Sequence, residues 1–178
     1  MFLLCAFFFL AFGFFGVSGF AETVRHVVDG DTLVLEDGVT VRLIGIDAPE
    51  VDHPRYGKIG EPFGPESAKF LQDLIEGKTV RLEAGDEPED RYHRRLAYVY
   101  READNLFVNR RMVEAGYAET YRRFDFKYKK EFLKLEAKAR QQRVGMWTES
   151  PDSWNQQFLH WMSMRQPRRK TALVSPDQ

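Results

Sequence analysis

Val27–Glu50, VVDGDTLVLEDGVTVRLIGIDAPE, holds two apolar, strand-like runs, Thr32–Leu35 and Val39–Ile46. Between them lies Asp37-Gly38, a dipeptide that accepts φ > 0 and suits a tight hairpin. Acid borders each run: Asp29 and Asp31 precede the first, and Asp47 and Glu50 follow the second. An antiparallel hairpin brings the chain back to where it began, so Asp31 and Asp47 are expected at the same end of the sheet, close enough to share a cation. Hard cations such as Ca²⁺ take carboxylate, carbonyl and water oxygens, and two carboxylates with backbone oxygens make an open site. Arg42 lies inside the second run, where an unpaired charge would be costly if buried. It needs a partner or an anionic ligand.

Outward from this stretch, Glu22–Val28 reads as a first strand. The Pro-, Gly- and charge-rich Val51–Gly64 reads as a surface loop. A helix is expected next, with Pro65 and Glu66 in its first turn and Gly77 just past its end. Ala68, Leu71, Leu74 and Ile75 supply its apolar face. Lys78–Ala84 and Leu96–Arg101 read as strands separated by an acidic turn, Gly85–Asp90. Asp104-Asn105 supplies another turn, and Val108–Ala115 a short helix closed by Gly116. Tyr128, Phe132, Leu135 and Ala139 recur at helical spacing, with Asp125 expected as cap, Gly145 as stop and a Glu136–Arg140 pair on the surface. Five short strands interrupted by helices, with no βαβ rhythm, fit a mainly β fold with α (α+β): a five-stranded OB-type barrel with about three packed helices.

Residues 1–21 carry no charged side chain and eight of the fifteen Phe, and end in small residues. They read as a secretory signal peptide cleaved after Ala21, although no Lys or Arg precedes the apolar run; uncleaved, the segment would be a membrane anchor. The protein is therefore expected to be exported, periplasmic or secreted. About 157 residues would remain, enough for one domain, 22–148. Residues 149–178 are expected to form a C-terminal helical appendage, carrying Trp154, Phe158, Trp161 and Met162, and a basic tail. The only cysteine, Cys5, lies in the leader, which excludes disulfides and a zinc–thiolate site from the mature chain. With 26 basic and 27 acidic residues, the chain lacks the basic excess common in nucleic-acid binders. A phosphate-binding surface must come from local clusters such as Arg91–Arg95 and Arg122–Lys130.

Three motifs, DGDT at 29–32, VRLIGIDAPE at 41–50 and RYHRRLAYVY at 91–100, stand in an order and spacing that resembles the staphylococcal (thermo)nuclease family from about Val24 to Trp147. DGDT alone would be a weak signal; three agreeing motifs are a strong one. The resemblance independently implies the OB-type barrel. It also implies Ca²⁺-dependent hydrolysis of DNA and RNA, with cleavage of the 5′ P–O bond leaving 3′-phosphate products. By matched position, Asp31, Asp47 and the main-chain carbonyl of Ala48 would hold Ca²⁺. Glu50 would position or deprotonate the attacking water, and Arg42 and Arg94 would grip phosphate oxygens.

The chain departs from the family pattern at three places. Ala48 replaces a Thr, which keeps the carbonyl and loses a hydroxyl. His93 and Arg95 stand where glycines commonly flank the arginine, making Arg95 a rival to Arg94. The register around Tyr121 also differs. Tyr92 and Tyr121 are candidate substrate contacts, through the phosphate or by stacking on a base; core packing is the alternative for Tyr121. Asp29 reads as a turn residue, and His93 and His53 as solvated loop histidines.

Single-stranded or unstructured substrate is expected, since the site must enclose one backbone phosphate. A monomer is expected, with no stable protein partner, and membrane association only if the leader is uncleaved. Two other readings are a non-catalytic OB-type module that binds nucleic acid or protein, and a membrane-tethered protein whose Trp-bearing tail is its interaction surface. The presence of Asp31, Arg42, Asp47, Glu50 and Arg94 together favours the enzyme.

Overall fold

The computed structural model describes residues 21–52 and 60–148, with Leu159 and Ser163 beyond them. The expected leader, His53 and the appendage's apolar face lie outside the described residues. Strands β1 (Glu22–Asp29), β2 (Thr32–Leu35) and β3 (Thr40–Leu43) form an antiparallel meander. The Asp37-Gly38 hairpin forms as expected, with Leu33 opposite Val41 and Gly38 at φ +89°. β5 (Thr79–Glu89) pairs with β1 on one side and with β6 (Arg95–Arg101) on the other. A parallel pairing of β3 with β6 then closes the five strands into a barrel, which removes the unpaired edges an open sheet would present.

The hairpin's second strand is shorter than its apolar run suggests. Hydrophobicity continues from Val39 to Ile46, but the chain bends at Ile44-Gly45, and Ile46–Asp47 (β4) pairs instead with Glu119–Thr120 (β8). Gly45 sits at φ +80°, and a Cβ there would come within 2.4 Å of the Phe126 ring. Only glycine tolerates both demands. The bend carries Asp47 out of the barrel wall.

The expected turn at Gly85–Asp90 is also corrected. β5 runs on through Glu89, paired with β6 across a bulge, and the chain reverses at Asp90–His93. Asp86–Glu89 are all exposed, so this half of the strand has no apolar face by which its period could be read.

Three helices pack on the barrel. α1 (Gly64–Ile75) buries Leu71 and Ile75; α2 (Val108–Glu114), which follows the short β7 (Leu106–Phe107), buries Met112 and Val113; α3 (Lys129–Gln142) buries Phe132. Each such side chain contributes roughly 1.5–3 kcal/mol. Buried Asn109 on α2 accepts a hydrogen bond from the Val99 N–H and donates to the Ile44 and Ala97 carbonyls. It thereby ties α2 to β6 and to the β3–β4 bend.

At α3, Tyr128 rather than Asp125 occupies the N-cap, and Arg143 at φ +52° ends the helix before Gly145, which opens a 3₁₀ turn (Gly145–Trp147). The Glu136–Arg140 ion pair forms at 2.7 Å, yet Glu136 is buried rather than on the surface.

Candidate active site

Asp31 follows Gly30 in the tight turn between β1 and β2. A Cβ on Gly30 would fall 2.0 Å from Ser67 Oγ and 2.6 Å from Ala48 Cβ, so glycine lets α1 and the segment after β4 close over the turn. Asp29 is a turn residue as expected: its Oδ1 accepts the Asp31 N–H at 3.0 Å. Asp31 itself is buried. Its Oδ2 accepts the Ala48 N–H at 2.8 Å and pairs with Arg42 Nη2 at 3.0 Å, while its Oδ1 accepts the Thr32 hydroxyl at 3.1 Å. Burial dominates and pushes its carboxyl up to about 8, with Arg42 opposing and Asp29 adding to the rise. One guanidinium does not compensate this charge.

Arg42 is a shared resource. Its Nη1 donates to the Leu43 and Ile46 carbonyls at 2.9 Å each, and its Nη2 also contacts Asp47 Oδ1 at 3.3 Å. The Gly45 bend aims the Ile46 carbonyl at this guanidinium. Asp31 and Asp47 thus meet at one nitrogen, the convergence the hairpin implies, although the bend rather than the strand completes it. Asp47 keeps solvent on one side. Crowding by protein on the other raises its carboxyl, Arg42 opposes the rise, and the charge of Glu50 adds to it.

Arg94 lies on the β5–β6 turn. Asp90 accepts its backbone N–H at 3.0 Å and its Nε and Nη2 at 2.7 Å. Burial works against the Asp90 charge, but these bonds outweigh it and hold the carboxyl below its ordinary value. Arg94 Nη1 reaches Thr32 Oγ1 at 3.4 Å. Arg95 points elsewhere, into an ion pair with Glu22 on β1 at 2.8 Å. Of the two neighbouring arginines, only Arg94 reaches the Asp31 group, by way of the Thr32 hydroxyl. His93 occupies the left-handed region at φ +61° with an exposed side chain, taking the conformation a glycine would adopt there.

Glu50 is held by its backbone: its N–H donates to Glu61 and its carbonyl accepts the Glu61 N–H at 2.7 Å. A Cβ on Gly64 would lie 2.1 Å from that carbonyl, so the start of α1 is glycine by close approach. Beside this group opens a cleft of about 470 Å³, lined among others by Arg42, Arg94, Tyr92 and Tyr121. Asp31, Asp47 and Glu50 do not line it; Asp31 and Asp47 join it through Arg42. Tyr92 is exposed beneath Arg91 and Arg94, at 4.7 and 5.5 Å. Tyr121 is half-buried, with its N–H on the Gly45 carbonyl and its ring against Phe124.

The profile described as staphylococcal nuclease homologue matches residues 40–149. That is more than half of the chain. This protein belongs to the staphylococcal nuclease family. It is 38% identical over 105 residues to a thermonuclease of Staphylococcus intermedius, covering 57% of this chain and 60% of that protein. It is 33% identical over 142 residues to an uncharacterized endonuclease of Haemophilus influenzae, covering 75% and 72%. A further uncharacterized endonuclease, from Escherichia coli O157:H7, is 35% identical over 130 residues, covering 71% and 76%. The chain thus spans three fifths of the length of the first relative and about three quarters of the other two.

The family's cation can be tested against these residues. Among the described residues no three His, Cys, Asp or Glu side chains gather as a metal cluster. The donors present are nevertheless all oxygen, and Asp31 is a buried carboxylate short of positive charge. Two converging carboxylates fit the anionic part of a hard-cation shell, with carbonyl oxygen and water left to complete it.

Sequence reading missed two contributors. Thr32 was only part of a motif, yet its hydroxyl donates to Asp31 and accepts from Arg94, linking the two arginines' neighbourhoods. Asn109 fastens the bend that feeds Arg42. Arg123, within the Arg122–Lys130 cluster expected to contribute to a phosphate-binding surface, lines the cleft, and its charge opposes the rise at Asp47. A buried threonine in DGDT could have been suspected from its β-branched place at a strand start; Asn109 leaves no local signal.

Proposed function

We propose that this nuclease-family chain is an exported, Ca²⁺-dependent phosphodiesterase that hydrolyses DNA and RNA. The observation that supports this best is one connected polar chain, Asp47–Arg42–Asp31–Thr32–Arg94, which joins all three sequence motifs and whose two arginines line one cleft. A phosphodiester resists attack because an anion must accept a nucleophile and release more negative charge. Arg42 and Arg94, each held by carboxylates, present donors to the phosphoryl oxygens where that charge develops; their planar forks suit bidentate contact, which lysine lacks.

Glu50 orients the attacking water and accepts its proton. The water oxygen bonds to phosphorus, the 5′ P–O bond breaks, the leaving 5′ oxygen takes a proton from solvent, and products carry a 3′-phosphate and a free 5′-hydroxyl. Ca²⁺ held by Asp31, Asp47 and the Ala48 carbonyl would supply positive charge to the same oxygens. Tyr92 and Tyr121 border the cleft as sugar, phosphate or base contacts. Its size suits one backbone phosphate of a single strand rather than a duplex.

The test is hydrolysis of an end-labelled single-stranded oligonucleotide by wild type, Asp31→Ala and Arg94→Ala, with Ca²⁺ and with chelator. Chelation should abolish turnover, each variant should lose at least about a hundredfold, and the products should carry phosphatase-sensitive 3′ ends. Activity that survives chelation, or that Asp31→Ala leaves intact, defeats the proposal.

A further inference from the structure

The cleft carries both signs of charge. Arg42, Arg94 and Arg123 line it, and so do Glu87, Glu89 and Asp90 from the end of β5 and the turn after it. Asp90 is occupied by Arg94, at 2.7 Å. The two glutamates are not matched in this way. Glu87 is exposed and enters no ion pair among the described residues. Glu89 is also exposed and has His93 at 3.7 Å, a partner that carries charge only when protonated. Arg95, in register with Glu89 on β6, is turned instead to Glu22 at 2.8 Å.

These two charges are held in place. β5 stays paired with β6 through Glu89, and Asp90 fixes the turn by accepting the Tyr92 and Arg94 N–H groups at 2.8 and 3.0 Å. A charge on a free loop could swing clear of an incoming anion, whereas one on a paired strand stays at the edge of the cleft. Acids among the arginines of a polyanion site weaken attraction on their own side and leave it intact on the other. Selection among binding paths draws on such a repulsive element as well as on attraction.

We propose that Glu87 and Glu89 are specificity-determining residues, a repulsive border that keeps the neighbouring phosphates of a single strand off the β5 side of the cleft. The backbone then enters along the arginines and turns away from β5 beyond the scissile phosphate. Screening limits the border's range to about 8 Å at physiological ionic strength, so it acts on the adjoining phosphates and not along the whole strand. The proposal rests on the reading of the cleft as a phosphodiester site.

The experiment follows steady-state hydrolysis of a labelled single-stranded oligonucleotide by the purified protein. Glu87→Gln combined with Glu89→Gln should lower KM about five- to tenfold at low salt and leave kcat within about twofold. Lysine at both positions should lower KM further, because the effect follows charge and not shape. The gain should shrink as salt is raised and the screening length shortens. Glu36→Gln combined with Glu102→Gln removes the same charge from exposed positions at the other ends of β2 and β6, and should leave KM within about twofold. An equal gain from that remote pair, a gain indifferent to salt, no further gain from lysine, or a KM that the glutamine variant leaves in place or raises overturns the border while the phosphodiesterase reading stands. Wild type inactive on the oligonucleotide overturns the two together.

Discussion

Two carboxylates are buried among the described residues, and they are treated in opposite ways. Glu136 on α3 receives the Thr120 N–H and the guanidiniums of Arg122 and Arg140, all within 3.0 Å. Burial is the largest single influence on it and works against the charge, yet these donors together prevail and lower its carboxyl below 4.5. Asp31 has one guanidinium, which it shares with Asp47, and a second acid, Asp29, beside it; burial prevails and its carboxyl rises. A carboxylate surrounded to satisfaction holds a fold together. One left short of positive charge is available to something else. The contrast separates the end of the barrel proposed to do chemistry from the face that supports it.

The largest effect expected from breaking this contrast is on activity. Asp31→Asn should lower oligonucleotide hydrolysis by at least about a hundredfold while leaving the melting temperature unchanged or higher, because it removes an under-compensated buried charge. Glu136→Gln should do the reverse to the fold. It strands two arginines and should cost about 2–3 kcal/mol, a drop in Tm of roughly 5–10 °C. If Asp31→Asn melts as far below wild type as Glu136→Gln does, the contrast is wrong.

The pH dependence sharpens it. Glu136 has a folded value below its unfolded one, so its stabilisation is present above about 4.5 and is lost as pH falls through the folded value. Urea midpoints measured from pH 5 to pH 3 should therefore fall more steeply in wild type than in Glu136→Gln; parallel curves would remove Glu136 from the account.

The neighbouring arginines make a smaller version of the same comparison. Arg95→Gln breaks a partly exposed pair with Glu22 and should cost less than about 1 kcal/mol with hydrolysis within about twofold of wild type. Arg94→Lys should lose far more activity than that, and equal losses would reinstate Arg95 as the phosphate ligand. The smallest effect is at His93, where glycine should relieve left-handed strain and stabilise by about 0.5 kcal/mol, read from the urea midpoint.

The barrel was legible because its signals are local. Asp37-Gly38 between apolar runs specifies a hairpin, and Leu71 and Ile75 at helical spacing specify α1's inner face. The errors fall where a distant group decides. Gly45 breaks an apolar run because Phe126, far along the chain, presses on it. The second half of β5 is strand because β6 pairs with it, although its own residues are exposed and charged. Glu136 and Arg140 are an i, i+4 pair by sequence, but helical spacing does not say which side of α3 faces β8.

From its own order of residues the chain determined the hairpin, the acids at its end and the arginines near them, since turn chemistry and side-chain period act over a few positions. Which acid is left uncompensated, and which of two adjacent arginines reaches the threonine bonded to it, was decided only by the closed barrel. Arg94 meets Thr32 across 62 positions, and Arg95 meets Glu22 across 73. Charge compensation depends on distance in space and on the exclusion of water, and neither exists until the strands have closed.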